Sequence, residues 1–325
     1  MSVKSVGFAI GNLRARENRL LKAGDLNQLS AAKSTEELAK MLVDRGIGAT
    51  DTADVPKLLS EETEKLWKYV TENAPDMSAF EPFLYENDFH NYKAVLKGVV
   101  RSREYESLLI LPATVETSAL ERAVKEKRFD LLPEFMRSAA EEAYSVFTKT
   151  GDSQLADCII DAGLMTAQLE KAKKIGNPVI LKLITVIVFY NNIKAALRGA
   201  KANKSAAFLE TALTETGVVS KKAMILAALG GEEKLLELMS KATELGGAEA
   251  AEAYRSSPAE LEKFAEDRII NTAKQCKFIT VGIEPIIGYM LARKAEITDL
   301  RIIYSGIKTG QPTEKTRERL RELYG

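Results

Sequence analysis

The chain contains a single histidine, so any reaction that needs an imidazole must use His90. Asp88 and Lys93 lie near it in sequence and could supply an acid and a cation. One histidine cannot form a histidine metal cluster, and a Ser-His-Asp or Cys-His arrangement would have to be built around this residue. We therefore expect a structural or interface role for His90, and keep as an alternative a small-molecule enzyme that uses these three residues in a cleft.

Other catalytic patterns are incomplete. A phosphate-binding loop requires the spacing GxxxxGK[ST] after a strand, and neither the glycines at 306–310 nor those at 230–231 satisfy it. Cys158 and Cys276 are isolated, which argues against a disulfide framework or a cysteine zinc site and favours a reducing compartment. The sequence thus predicts no catalytic residue, no cofactor and no metal.

Composition and charge exclude further classes of protein. The 46 basic residues balance the 46 acidic ones, whereas nucleic-acid-binding domains and polybasic membrane-surface proteins carry excess positive charge. The most apolar stretches, 179–190 and 278–292, are shorter than the ~20 residues of a membrane span. We interpret both as buried helices, with the β-branched 278–281 as the end of one, and predict a cytoplasmic protein.

Helical patterns recur along the whole chain. Capping residues and apolar positions at i, i+3 and i+4 predict helices over 152–175, 178–201 and 285–307, with others starting at Ser34, Ser60 and Asn87. Breaks are expected at 46–56, 73–82 and 243–258. The predicted fold class is all-α.

An internal repeat organises these helices. DFHNYKAVLKG (88–98) resembles FYNNIKAALRG (189–199) at an offset of 101 residues, and a weaker copy beginning at Asp299 places Lys308 a further 110 residues beyond Arg198. A repeat near 100 residues predicts three similar helical units, over 1–110, 111–212 and 213–325. Each unit would bury its open faces against the others.

Basic residues supply candidates for partner contacts. Most basic clusters are interleaved with glutamates and fit a salt-bridged surface, but Arg14, Arg16 and Arg19 have only Glu17 nearby. The repeat contributes Lys93, Lys194 and Arg301, with Asn91 and Asn192 beside the first two. These eight residues are the predicted interface, and the alternative is that the repeat residues join neighbouring helices within the protein.

The segments that carry the repeat also resemble a known family. DFHNYKAVLKG, GIEPIIGYMLARKAEITDLRIIYSGIKTGQ (282–311), the closing EKTRERLRELYG and the arginine-rich LRARENRLL (13–21) are similar to the C subunit of V/A-type ATPases (ATP synthases), the equivalent of the d subunit of eukaryotic V-ATPases. The similarity covers the full length and is most specific over 282–311. Asp299 departs from the asparagine expected at its position.

The resemblance implies a funnel-shaped protein of three similar helical units around a pseudo-threefold axis. It implies a non-catalytic subunit of the central rotor, at the cytoplasmic face of the membrane. One end would seat on the membrane ring of ion-carrying subunits, and the other would receive the central shaft during ATP-linked H⁺ or Na⁺ transport or ATP synthesis. Membrane contact would occur only through the ring. The alternative is a helical-repeat adaptor of another assembly.

Overall fold

All regular secondary structure in the described part of the chain is helical. The computed structural model describes residues 11–48 and 53–325, and the all-α prediction is confirmed over these ranges. The α-helices are α1 (described over 11–17), α2 (Ala23–Leu29), α3 (Thr35–Asp44), α4 (Val55–Asn73), α5 (Glu81–Arg101), α6 (Thr117–Glu126), α7 (Glu134–Thr150), α8 (Ser153–Ile175), α9 (Pro178–Lys201), α10 (Ala206–Ala212), α11 (Lys221–Leu229), α12 (Glu232–Ser240), α13 (Gly247–Ser256), α14 (Pro258–Ala273), α15 (Glu284–Lys308) and α16 (Thr313–Glu318).

The long periodic helices match their predicted bounds most closely. Helices α8, α9 and α15 begin and end within one residue of the prediction. Helix α4 begins earlier than predicted because Pro56 lies in its first turn, where a missing N–H breaks no hydrogen bond. The predicted break at 243–258 is wrong, since α13 occupies most of it. Gly246 ends the preceding turn with φ +75°, and the alanine- and glutamate-rich run after it restarts a helix.

The chain forms two compact units. Unit 1 comprises Met1–Met77 and Ser257–Gly325, and unit 2 comprises Ser78–Ser256. The core of unit 1 is built by leucines of α3 and α4, among them Leu38 and Leu58, together with Ile303 of α15. Unit 1 is therefore assembled from two stretches of chain that are far apart in sequence.

Unit 2 has its own apolar core. Helices α5, α7 and α8 contribute Phe89, Tyr92, Met136 and Ile160, all nearly inaccessible to solvent. Within the described chain, α9 has the length and composition that could cross a membrane, but most of its apolar stretch is buried inside the protein. Its Tyr190 hydroxyl donates to the carbonyl of Leu245 at 2.5 Å, as expected of a core helix.

Candidate partner interface

Three of the long helices, α5, α9 and α15, end in the same backbone motif. Each carries a glycine near its C-terminus, and the residue four positions later has a positive φ (Ser102 51°, Asn203 50°, Gly310 68°). The N–H group five positions after each glycine donates to the glycine carbonyl, at 2.9, 2.9 and 2.8 Å respectively. This is the Schellman pattern, which satisfies the last carbonyls of a helix and turns the chain sharply.

The glycines also allow the next segment to approach closely. A Cβ atom at Gly98 would lie 2.1 Å from the ring of Tyr105, one at Gly199 would lie 2.6 Å from Leu209, and one at Gly306 would lie 2.3 Å from Thr316. A side chain at any of the three glycines would therefore force atoms of the following segment to shift.

Seven residues before its glycine, each helix carries a side chain that holds a later segment. Asn91 donates to the carbonyl of Ile110 (2.9 Å) and accepts from the same residue's N–H (2.8 Å). Asn192 makes the same pair of bonds with Thr214, at 2.7 and 2.9 Å. Both asparagines are fully buried. Because they are buried, the two asparagines could affect the binding of a partner only through the segments they hold.

The third helix has Asp299 at this position. Its Oδ1 accepts the N–H of Arg321 at 2.8 Å, and its buried Oδ2 has no hydrogen-bond partner among the described residues. The glycines place Asp299–Gly306 in register with Asn192–Gly199, an offset of 107 residues. The sequence-based offset of 110 is therefore three residues out of register, because positions three apart on an amphipathic helix share a face.

In unit 2 the segment after α5, residues 108–115, is held along most of its length. Asn87 donates to Pro112 O (2.7 Å), His90 Nε2 lies 2.9 Å from Leu108 O, and Asp88 accepts from the Thr114 N–H, the Thr114 hydroxyl and the Val115 N–H at 2.6 to 2.9 Å. Burial raises the pKa of Asp88, and these three hydrogen bonds oppose that rise. We call residues 108–115 the clamped loop.

This geometry separates the three residues of the enzyme alternative. His90 and Asp88 contact different parts of the clamped loop, while Lys93 pairs with Asp161 of α8 at 2.5 Å. The three side chains are therefore engaged with separate partners. In the described ranges, no group of three or more His, Cys, Asp or Glu residues could hold a metal ion.

The clamped loop presents apolar side chains to solvent. Leu108 is 56% exposed, Ile110 40% and Leu111 71%. A soluble surface seldom displays adjacent large apolar residues on a well-held loop unless a partner covers them. Sequence reasoning missed this surface, although an apolar run of four residues before a proline, with no helical period, was a signal for it.

Unit 1 presents a second apolar turn. Arg14 donates through Nη2 to the carbonyls of Lys277 and Ile279, each at 2.9 Å, and pairs with Glu17 at 2.6 Å. Between those carbonyls Phe278 is 86% exposed. The prediction that 278–281 ends a buried helix is wrong, because a short 3-10 turn ends at Phe278 and α15 begins only at Glu284.

Arg16 and Arg19 line a basic cleft in unit 1 of about 650 Å³. The Arg16 guanidinium lies 4.4 Å from the ring centre of Tyr69, and Arg19 is exposed with no carboxylate partner among the described residues. The cleft has six cationic and two anionic lining residues: Arg16, Arg19, Lys22, Arg45, Lys65 and Arg293 against Asp25 and Glu62. It carries net positive charge in a chain whose formal charge is zero.

A buried ion group lies at the base of this cleft. Arg293 pairs with Glu62 at 2.7 Å and also with Glu296, whose other oxygen accepts the Leu21 N–H at 2.5 Å. Burial raises the pKa of Glu296 to about 7, although the Arg293 charge opposes that rise. The group joins α4 and α15 in unit 1.

The last two predicted interface residues lie on different helices. Lys194 is half-buried on α9, and Arg301 is exposed on α15. Of the eight residues, Arg16 and Arg19 lie together in one cleft. Arg14, Asn91 and Asn192 form hydrogen bonds that hold surface segments. Lys93 forms an ion pair with α8.

Comparison with known proteins defines the class. The ATP synthase (C/AC39) subunit family matches residues 9–319, and the chain belongs to this family. A curated relative is the C subunit of the V-type sodium ATPase of Enterococcus hirae, which is 22% identical over 318 residues, covering 96% of this chain and 97% of the relative. The resemblance seen in the sequence is confirmed.

Proposed function

We propose that this chain is a non-catalytic central-rotor subunit of a V/A-type ATPase, a socket that couples the central shaft to the membrane ring during ATP-linked H⁺ or Na⁺ transport. The observation that carries the proposal is the family match over 9–319, which includes every surface described above. The relative named as part of a sodium ATPase supports the same class of assembly. The protein would be peripheral at the cytoplasmic face and reach the membrane only through the ring.

The repeat fits this role. The shared asparagine or aspartate, glycine and Schellman turn of α5, α9 and α15 support three similar helical units, over 1–110, 111–212 and 213–325. Each long helix would position one surface segment. Close-packed helices have low compressibility and suit a part that transmits torque.

Two kinds of surface would receive the neighbouring subunits. The basic cleft suits an acidic segment of a rotor subunit, because charge complementarity speeds association and fixes orientation. The clamped loop and the turn at Phe278 suit apolar contacts, which lose little entropy on binding when they are already held. Lys194 and Arg301 are further candidates for polar contacts at the rim.

The cleft is tested by charge reversal. Arg19→Glu is expected to weaken binding to an ATPase complex depleted of this protein by about tenfold, or ~1.4 kcal/mol, with the loss shrinking at high salt. The matched control is Lys33→Glu, which changes the charge equally at an exposed site of unit 1 outside the cleft. Binding is measured by titration, and ATP-driven ion transport by the reconstituted complex is measured in parallel.

The possible results separate the candidate functions. Restored coupled transport with the unmodified chain, and a selective defect in Arg19→Glu with an unchanged melting temperature, support the socket. If the unmodified chain binds no ATPase component, the socket is excluded and the alternative, a helical-repeat adaptor of another assembly, is favoured. Equal effects of both variants would remove the cleft from the interface.

A further inference from the structure

Asn91, Asn192 and Asp299 occupy equivalent positions on their helices, and the aspartate differs from the two asparagines in its chemistry. In Asn91 and Asn192, the amide oxygen accepts a backbone N–H and the amide nitrogen donates to the carbonyl of the same residue. Asp299 occupies the equivalent position, seven residues before Gly306, and accepts only the N–H of Arg321. Its second oxygen is buried and unpartnered within the described chain.

We propose that Asp299 is protonated on its buried Oδ2 while its Oδ1 accepts the Arg321 N–H, so that docking of residues 319–325 depends on pH. The protonated carboxyl is the only form of an aspartate that offers one acceptor and one donor, as an asparagine does. In the ionised form, a buried anion would stand at the position where α5 and α9 carry a neutral amide.

The surroundings of Asp299 favour the protonated form. It is fully buried, and Glu266 and Asp267 face it from α14 with negative charge. Arg321 faces it from the C-terminal segment, but its guanidinium is already paired with Glu266 at 2.5 Å. Burial is the main cause that raises the pKa of Asp299, to about 7, while the bond from Arg321 N–H opposes the rise.

Other contacts also hold the C-terminal segment, since Leu320 and Leu323 pack against the core of unit 1. The Glu322 N–H donates to Asp267 at 2.6 Å, and Lys274 pairs with the Glu322 carboxylate at 2.7 Å. Tyr324 is buried, with the Lys277 ammonium 4.6 Å from its ring centre. Release of this segment would uncover Tyr324 and the cleft between it and α1 and α2.

The direction of the pH effect follows from the raised pKa. The folded carboxyl has a pKa of about 7 against its ordinary value of 3.8, so the folded protein binds more protons between these values. The contribution of Asp299 is complete below about pH 4 and is lost as pH rises through about 7. Between about pH 4 and pH 7, docking of the segment weakens by up to about tenfold for each pH unit, and above about pH 7 it changes no further.

Reciprocal substitutions test the proposal in the full-length chain. Asp299→Asn is neutral at every pH, so we expect little change in protection of the Arg321 and Glu322 amides from hydrogen exchange at pH 5. At pH 8 we expect about tenfold greater protection than in the unmodified chain at the same pH. Asn192→Asp should lower the protection of the Thr214 amide from hydrogen exchange, modestly at pH 5 and strongly at pH 8.

A direct titration completes the test. The carbon-13 carboxyl signal of Asp299, assigned by its absence in Asp299→Asn, should titrate near neutral pH. A midpoint below about pH 5 would overturn the proposal, as would an Asp299→Asn variant that lowers amide protection equally at pH 5 and pH 8. Melting curves at both pH values show whether each variant is folded. If Asn192→Asp fails to fold, the carboxyl titration and the Asp299→Asn exchange data still decide.

Discussion

Arg293 balances two buried carboxylates with one guanidinium. Its side chain is 13% exposed, while the side chains of Glu62 and Glu296 are 8% and 3% exposed. Taking an ion out of water costs several kcal/mol unless its partners remain in place. The arginine is therefore the residue in this group whose loss leaves the most uncompensated charge.

We predict that Arg293→Gln lowers the free energy of unfolding by about 3–5 kcal/mol at pH 8. The loss should be smaller at pH 5, because a carboxyl with a pKa already raised to about 7, as in Glu296, takes up a proton there. Urea unfolding at both pH values measures the difference.

Lys65→Gln is the matched control for that prediction. Lys65 also pairs with Glu62, at 2.7 Å, but its side chain is 55% exposed. Exposed ion pairs contribute about 0–1 kcal/mol, so the control should change little at either pH. Equal losses for the two variants would show that Arg293 does not compensate buried charge.

The roles of individual residues were the hardest features to predict from the sequence. Asn91 and Asn192 stand out by their repeated spacing, but their partners lie 19 and 22 residues further on, in irregular segments without a period to read. Glu62 and Arg293 are 231 residues apart, and nothing in either local sequence distinguishes them from solvent-exposed helix residues. Burial decides the role of such residues, and burial is a tertiary property.

At the scale of the helix, Gly98 leaves room for the aromatic side chain of Tyr105. We predict that Gly98→Ala destabilises the protein by about 1–3 kcal/mol, because the added methyl group would overlap the ring of Tyr105. The gain in helix propensity, about 1 kcal/mol, only partly offsets this. Thermal unfolding measures the change.

Gly24→Ala provides the contrast within a helix. Nothing lies within 4 Å of a Cβ at Gly24, so the substitution should be neutral or stabilise by up to about 1 kcal/mol. A neutral Gly98→Ala would mean that Tyr105 moves aside freely and that the close approach is not required.

The clamped loop gives a prediction about binding. Leu108→Gln combined with Leu111→Gln should weaken binding to the depleted ATPase complex at least tenfold without lowering the melting temperature, because both side chains are largely exposed. The comparison pair is Leu226→Gln with Leu229→Gln, two exposed leucines on α11. If both pairs weaken binding equally, general surface apolarity accounts for the effect.

Helices were the part of the fold that sequence predicts best. Long apolar periods place α8, α9 and α15 almost to the residue, because capping and periodicity act locally. The prediction that Phe278 is buried was wrong because its exposure depends on contacts that are distant in sequence. An apolar composition favours burial on average, whereas the bonds from Arg14 that hold this turn at the surface come from the other end of the chain.

At the scale of the molecule, unit 2 is one continuous stretch of chain with its own core. We predict that a fragment of residues 78–256 folds alone, with helical circular dichroism and a cooperative urea transition. A fragment of residues 1–77 should remain largely unfolded, because Ile303 and Arg293 are supplied by α15. A non-cooperative 78–256 fragment would show that its core needs unit 1.

The division of unit 1 between two distant stretches has a consequence during synthesis. Glu62 leaves the ribosome 231 residues before Arg293, which at ~5–20 residues per second is a delay of roughly 10–45 s. Throughout that interval the nascent N-terminal helices expose leucines of α3 and α4 that α15 will later cover. Unit 2 emerges complete in the meantime. The N-terminal stretch is therefore the part of the nascent chain that most needs chaperone protection, and slowing translation beyond residue 256 should increase its aggregation.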